Sequence, residues 1–402
     1  MKVRSHVRAC CVLACAVAAG WSAVAAAAAG PVIQLASCHL SEVRDALQSV
    51  VNTGGTVQLG AGECDWSTDP GASPDRITVS MGDKDIHLRG AGATQTILKR
   101  SDAENLSYAL IIICSAGDAR IEISDIGFEG NGGPTNRRER GISLTGSCRD
   151  FKIHDMHFSK FLGSGLEIEG NDSRGVIYHS EFTDNYDPAS PSNGEGYGVV
   201  VYGDAGPNRT SWQPGSGEAV FIEDSYFRAN RHSVASNRNS RYVVRYSTVL
   251  NTHATRNTSV LDAHGAGSTS SQGSRSWEIY KNHIAYDDTT AVSSVGGIVT
   301  WGGDGIVWDN IFSDEIAYTF RIDGDCSGGR YDYDETEHSW IWGNHREDGS
   351  PYSVIRVGNG CGSFYREGIE YILAEPEGGY EPYPYPHPLR GADDVIFADA
   401  FD

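Results

Sequence analysis

Apolar and polar residues alternate with a period of two in short runs that recur along the chain, which is the pattern of β-strands with one buried face. Seven runs share a register, at residues 121–128, 151–158, 176–182, 220–227, 242–249, 277–284 and 305–312. Five positions before the closing residue of each stand Ile123, Ile153, Ile177, Ile222, Val244, Ile279 and Val307, and two positions before it stand Ser180, Ser225, Ser247, Asn282 and Asn310 in the later ones. A second strand series lies between them, at 142–146, 166–170, 199–203, 260–265, 298–302 and 320–324, so each coil carries at least two strands. Closing residues of successive units are 22 to 45 positions apart, and no amphipathic helix separates the runs. Repeats of this size that bury an aliphatic stack form solenoids. The predicted fold is therefore all-β, a single parallel β-helix with an internal aliphatic file and with stacked Ser and Asn side chains satisfying one another inside a turn.

Residues 40–47 (LSEVRDAL), 54–62 (GGTVQLGAG), 87–92 (HLRGAG) and 94–98 (TQTIL) resemble the capped start of right-handed parallel β-helix proteins of the pectate-lyase-like superfamily. The resemblance extends over residues 38–370 and implies a right-handed β-helix with an N-terminal capping helix. The superfamily hosts lyases, hydrolases, epimerases, phage tailspikes and adhesins, so the fold alone leaves the activity open. Calcium is common in lyases of this fold. The acidic stretch from Asp323 and Asp325 to Asp332, Asp334 and Glu335 supplies oxygens, but without EF-hand spacing, and the metal stays undecided.

Composition narrows the setting. The chain has 402 residues with 53 acidic against 32 basic side chains, a formal charge of −21, which argues against nucleic acid or an anionic membrane as partner. Lys2, Arg4 and Arg8 precede an apolar run and an alanine tract ending at Ala29, the pattern of a cleaved signal peptide over 1–29. No later run approaches the ~18–20 apolar residues of a membrane span. Six cysteines remain beyond the leader, and an even count in an exported protein favours disulfides; sequential pairs 38–64, 114–148 and 326–361 are expected because each joins neighbouring coils. The β-helix is expected over 30–378, followed at 379–402 by a Pro/Tyr-rich linker and a tail whose last residues, 394–402, resemble a short terminus of exported proteins of some Gram-negative bacteria. A monomeric protein, secreted, periplasmic or at the cell surface, is the resulting expectation.

Three features carry candidate chemistry. From Ser225 to Leu261 there are six arginines, Arg228, Arg231, Arg238, Arg241, Arg245 and Arg256, with His232 and His253 among them, and not one acidic residue. Guanidinium groups bind carboxylates through paired hydrogen bonds, so this stretch reads as a cationic groove for an acidic polysaccharide, with Arg231, Arg241 and Arg245 on the carboxylate. Second, His154, Tyr178, Glu223, Arg245, Tyr280 and Trp308 stand four positions before the closing residues and form an outward ladder, each displaced by one ~4.8 Å strand spacing. Sugar faces pack on such rings, which makes Tyr280, Trp308 and, at the end of a second-series strand, Trp301 candidate substrate contacts. Ordinary cross-strand stacking explains the same ladder. Third, Asp262 and His264 share one face of a strand, and an Asp–X–His pair resembles the core of the alginate C5-epimerase motif, whose flanking tyrosine, proline and acidic partner are missing here.

Cleavage of a uronate by β-elimination needs a cation on the carboxylate, a base for the C5 proton and an acid for the leaving oxygen. The expected reading is a lyase acting on a uronate glycan, with either His232 or His264 as base or acid, Arg231 and Arg241 beside them, and Asp262 and Arg245 at the substrate. A shared site requires both rings on one face of the coil and in reach of solvent. A non-catalytic glycan-binding or adhesive surface protein, a C5-epimerase or a glycoside hydrolase on the same fold are the alternatives; the carboxylate pair of an inverting hydrolase is not evident beyond Asp287 and Asp288.

Overall fold

A computed structural model describes residues 30–391 apart from 70–75, 102–106, 116, 118, 133–138, 171, 188–194, 204–212, 252–258, 265–272, 287–294, 324–335, 337 and 359–360. The chain winds as a right-handed parallel β-helix whose strands form three all-parallel sheets of 12, 10 and 10 strands. The helix Leu40–Val50 caps the first coil, burying Leu40, Val43, Leu47 and Val50. No described helix is long and apolar enough to cross a membrane.

Each coil carries three strands, consistent with the at least two read from the sequence; the third arises because the first-series runs are broken in the middle. The residue three before the closing position adopts a left-handed conformation, at Asp125, Asp155, His179, Asp224, Tyr246, Lys281 and Asp309, with φ between 46° and 61°. Asp tolerates this region best, since its short side chain bonds locally, whereas Tyr246 and Lys281 accept strain of order 1 kcal/mol. The bend sends the preceding strand into the first sheet and the following one into the second. The second-series strands form the third sheet.

The expected internal file is present. Ile123, Ile153, Ile177, Ile222, Val244, Ile279, Val307 and Ile341 pair one to the next in register, and all are fully buried. Phe128, Phe158, Phe182 and Phe227 stack beside them with centroids 5.6, 5.1 and 4.8 Å apart. Just past each bend, backbone N–H groups that would otherwise be unpaired in an apolar tube donate along the axis: Ser225 to Ser247 Oγ (3.2 Å), Ser247 to Asn282 Oδ1 (3.0 Å), Asn282 to Asn310 Oδ1 (3.1 Å) and Asn310 to Asn344 Oδ1 (3.0 Å). Cys38–Cys64 and Cys114–Cys148 form disulfides as expected; Cys326 and the Cys361 side chain lie outside the described residues.

The outer face of the first sheet is covered over its later coils, around Glu223, Arg245, Glu278 and Trp308. Residues 380–390, expected to be part of a linker, lie across it as a strap. Tyr383 and Pro384 carbonyls accept from Arg245, Tyr385 Oη donates to Asp224 Oδ1 (2.7 Å), the His387 N–H donates to Glu223 Oε2 (3.1 Å), and Arg390 pairs with Glu223 (3.0 Å) and Asp224. Arg245 and Glu223, neighbours in the register, form an ion pair with no exposed surface. Tyr380 Oη donates to Glu278, whose other contact is the Gly215 N–H at 3.1 Å. Burial pushes the Glu278 carboxyl up to about 7 from its ordinary 4.5.

Two outcomes follow from the strap. Arg245→Ala removes the main counter-charge of a buried carboxylate and is expected to destabilise the fold by about 3 kcal/mol, Arg390 retaining part of the compensation; urea unfolding measures it, and an unchanged midpoint contradicts a structural Arg245. Because the folded-state value for Glu278 lies above the unfolded one, its stabilising contribution is complete below about pH 4.5 and is lost as the pH rises through about 7. Glu278→Gln should therefore match the native protein at pH 4 and exceed it at pH 8, by at most about 3 kcal/mol.

Candidate active site

The chemistry-bearing residues converge on the outer face of the third sheet, in a groove of about 360 Å³. Register does the gathering. Tyr197 pairs with His232 and Tyr202 with Asn237, while Ala235, Asp262, Val299 and Arg321 follow one another across four strands. Continuing backbone bonds, from the His264, Trp301 and Asp323 N–H groups to the preceding coil's carbonyls, set Asn237, His264, Trp301 and Asp323 in the adjacent file. Arg231, His232, Asp262, His264 and Trp301, all candidates from the sequence, thus line one groove.

His232 forms part of the groove wall, with 5% of its surface accessible, and its ring stacks on Tyr197 at 5.8 Å. Its Nδ1 lies 2.7 Å from the Ser259 carbonyl, which can only accept, so Nδ1 carries the hydrogen and Nε2 keeps its lone pair. Burial lowers the ring's affinity for a proton to about 4, against the attraction of Asp262, whose Oδ2 is 3.9 Å from Nε2. The result is a neutral imidazole with an unprotonated nitrogen at physiological pH.

His264 is half exposed and donates from Nδ1 to the same Asp262 Oδ2 at 3.2 Å, with the Trp301 ring 5.6 Å away. Asp262 is buried, and desolvation opposes its charge, yet the net displacement is downward because His264 and His232 face it. Its Oδ1 has no hydrogen-bond partner among the described residues. Both imidazoles therefore lie on one face of the coil and meet a single carboxylate.

Most charges here are already matched. Asp323 pairs with Arg321 (2.5 Å), Glu195 with Arg140 (3.0 Å) and Glu169 with Arg238 (3.5 Å). Arg231 differs: among the described residues its guanidinium meets no carboxylate within ion-pair distance and donates to Tyr197 Oη at 2.8 Å. Gly358 borders the Asp323 side chain so closely that a Cβ there would fall 1.7 Å from Oδ1. Of the acidic stretch considered for calcium, only Asp323 is among the described residues, and Arg321 occupies it.

The remaining sequence candidates lie elsewhere and are corrected here. Arg241 belongs to the first sheet, where it donates to the Glu218 carbonyl at 3.4 Å. Arg245 is buried against Glu223 beneath the strap, so it cannot bind a substrate carboxylate. Tyr280 is buried and accepts from Arg245 (2.8 Å), and Trp308 is sandwiched between Tyr280 and Trp342 with Tyr380 edge-on. The outward ladder of the first sheet is thus a covered stack, formed in the expected register but roofed by the strap. His253 and Arg256 lie outside the described residues.

Tyr197, Tyr202, Glu195 and Arg321 were missed. A signal for Tyr202 was present: the residue before the glycine closing each second-series strand is Thr145, Glu169, Tyr202, His264, Trp301 or Asp323, one file that includes the groove's exposed edge. Tyr197, Glu195 and Arg321 have no such marker.

No family model matches the chain, and no curated protein matches it. It is similar to ORF18 of Geobacillus virus E2, at 17% identity and a TM-score of 0.50, over 80% of this chain and 55% of that one, so it spans about half of the viral protein's length. It is also similar to an alginate lyase from Paenibacillus sp. str. FPU-7 (14% identity, TM-score 0.48, 81% and 98% covered). The A-module of the mannuronan C-5 epimerase AlgE4 of Azotobacter vinelandii matches at 16% identity and a TM-score of 0.41, over 85% and 93%. At 17% identity the likeness to the viral protein speaks for a shared fold alone.

The geometry of His232 generates a direct expectation. In an NMR titration its ring should remain neutral, in the Nδ1–H form, down to about pH 4. Titration near the ordinary ~6.5, or an Nε2–H form, contradicts the assigned base.

Proposed function

We propose that the protein is an exported carbohydrate-active enzyme, a polysaccharide lyase that cleaves an acidic, uronate-containing glycan by β-elimination in the groove of the third sheet. The observation that carries this reading is the pairing of Arg231, whose guanidinium meets no carboxylate within ion-pair distance among the described residues, with a neutral histidine whose free nitrogen is fixed by a backbone carbonyl, His232. Two disulfides support an oxidising compartment.

The three requirements of the reaction map onto the groove. Arg231 binds the C6 carboxylate and neutralises it, which acidifies the C5 hydrogen. His232 Nε2 takes that proton, the electron pair forms the C4–C5 double bond, and the C4–O bond breaks. His264, held through Nδ1 by Asp262, gives its Nε2 proton to the leaving oxygen, and the buried carboxylate supports positive charge on that ring beforehand. Solvent then returns both rings to their starting states. Trp301 and Tyr202 offer faces to neighbouring sugars.

Asp262 and His264 also suit a C5-epimerase, which shares the proton abstraction and then reprotonates the opposite face. Incubation with pectate, alginate, hyaluronan, chondroitin and glucuronan separates the readings. A lyase gives the ultraviolet absorbance of an unsaturated uronate, His232→Ala lowers kcat roughly 10²–10⁴-fold, and Arg231→Ala weakens binding most at low salt, the difference from the native protein shrinking as salt screens the contact. C5 inversion without cleavage identifies an epimerase, saturated products identify a hydrolase, and binding without turnover identifies an adhesive surface; each of these overturns the lyase.

A further inference from the structure

A second cluster, on the outer face of the first sheet near the N-terminal coils, has no part in the groove. His87, Glu122 and His154 come from three successive coils, on strands Ile86–Arg89, Ile121–Ser124 and Arg149–His154. One ligand atom from each lies within 4.8 Å of the others. His87 and Glu122 are direct register partners, and His154 sits one file over, beside Ser124.

His154 lies between two carboxylates. Its Nδ1 is 2.7 Å from Asp155 Oδ2, and a carboxylate only accepts, so Nδ1 carries a hydrogen. Its ring lies flat on Tyr178 at 4.7 Å, which fixes the plane. Nε2 is thereby aimed at Glu122 Oε1, 3.1 Å away. A lone pair facing a carboxylate oxygen needs a cation between them, either a proton or a metal ion. His87 Nε2, 3.8 Å from the same oxygen, completes a convergent set.

We propose that His87, Glu122 and His154 bind a zinc ion. Two imidazole nitrogens and one carboxylate oxygen are a borderline-soft donor set that suits Zn²⁺ and disfavours Ca²⁺, which takes oxygens. Asp155 supplies the outer carboxylate that orients a metal-binding histidine. A cleft of about 500 Å³ lined by His87, Glu122 and Lys152 adjoins two of the three ligands and leaves room for water as a fourth. Binding exchanges the His87 contact with Ser124 Oγ (3.0 Å) for the metal bond. Lys152 opposes the ion: its ammonium holds Glu122 Oε2 at 2.6 Å and adds a positive charge. The ion would clip three coils together, adding stability by mass action.

The test uses the full chain stripped with a chelator and titrated with zinc chloride by calorimetry, with cobalt chloride as spectroscopic probe. Expected are one saturable zinc site, visible Co²⁺ absorption of the four-coordinate kind, a raised Tm with zinc and none with calcium. His87→Ala and Glu122→Gln should each weaken zinc binding by roughly tenfold or more, in keeping with loss of a ligand. Lys152→Met should tighten it, a change of sign that a misfolded variant does not give. Absence of saturable binding, or equal binding by the native protein and both ligand variants, overturns the assignment.

Discussion

The structure depends on one recurring problem of backbone hydrogen bonding. At Asp155, His179, Asp224, Tyr246, Lys281 and Asp309 the chain turns sharply from the first sheet into the second, and each turn leaves an N–H just inside an apolar tube. An unpaired amide there costs on the order of 1–3 kcal/mol, repeated at each turn. Stacked Ser247, Asn282, Asn310 and Asn344 answer it by accepting from the coil below, and the asparagine amides donate in turn, Asn282 to Asn310 at 3.0 Å and Asn310 to Asn344 at 2.9 Å. That ladder holds coils in one register. With register fixed, every outward side chain has a defined neighbour in the next coil, and both clusters described above follow from that.

The same regularity explains what could be read beforehand. Ile153, Ile177, Ile222 and Val244 were legible because burial on one face admits no register slip. The bend itself was not: Asp125, His179, Tyr246 and Lys281 share a left-handed conformation without sharing chemistry. Outward residues were legible as a file but not as exposed or covered. Glu223, Arg245 and Tyr280 align as expected, yet what roofs them comes from a hundred or more residues away, and pattern along the chain carries no information about that return. His232 and His264 were found together because they lie in neighbouring coils; Tyr197 and Arg321 were not, because their strands offer no local motif.

Charge pairing separates the two outer faces. Beneath the strap, Glu223 is shared between Arg245 and Arg390, so polarity there is consumed internally and serves adhesion of one segment to another. In the groove, Arg321, Arg140 and Arg238 are likewise matched, and the electrostatic vacancy narrows to Arg231 and the carboxylate shared by two imidazoles. A chain that is strongly acidic overall can thus present a local positive site to an anionic polymer.

The strap also alters what kind of object the solenoid is. In a plain stack each repeat touches only its neighbours, so stability propagates in one dimension and an end can fray without the middle noticing. Here the bonds of Tyr385, His387 and Arg390 join positions 161, 164 and 167 residues apart, while Tyr380 reaches Glu278 across 102. Those contacts require several coils to be wound already, which raises contact order and delays the final docking step. Once docked, the segment works as a longitudinal brace: loosening any braced coil means surrendering the strap as well, and melting of the central coils becomes a collective event.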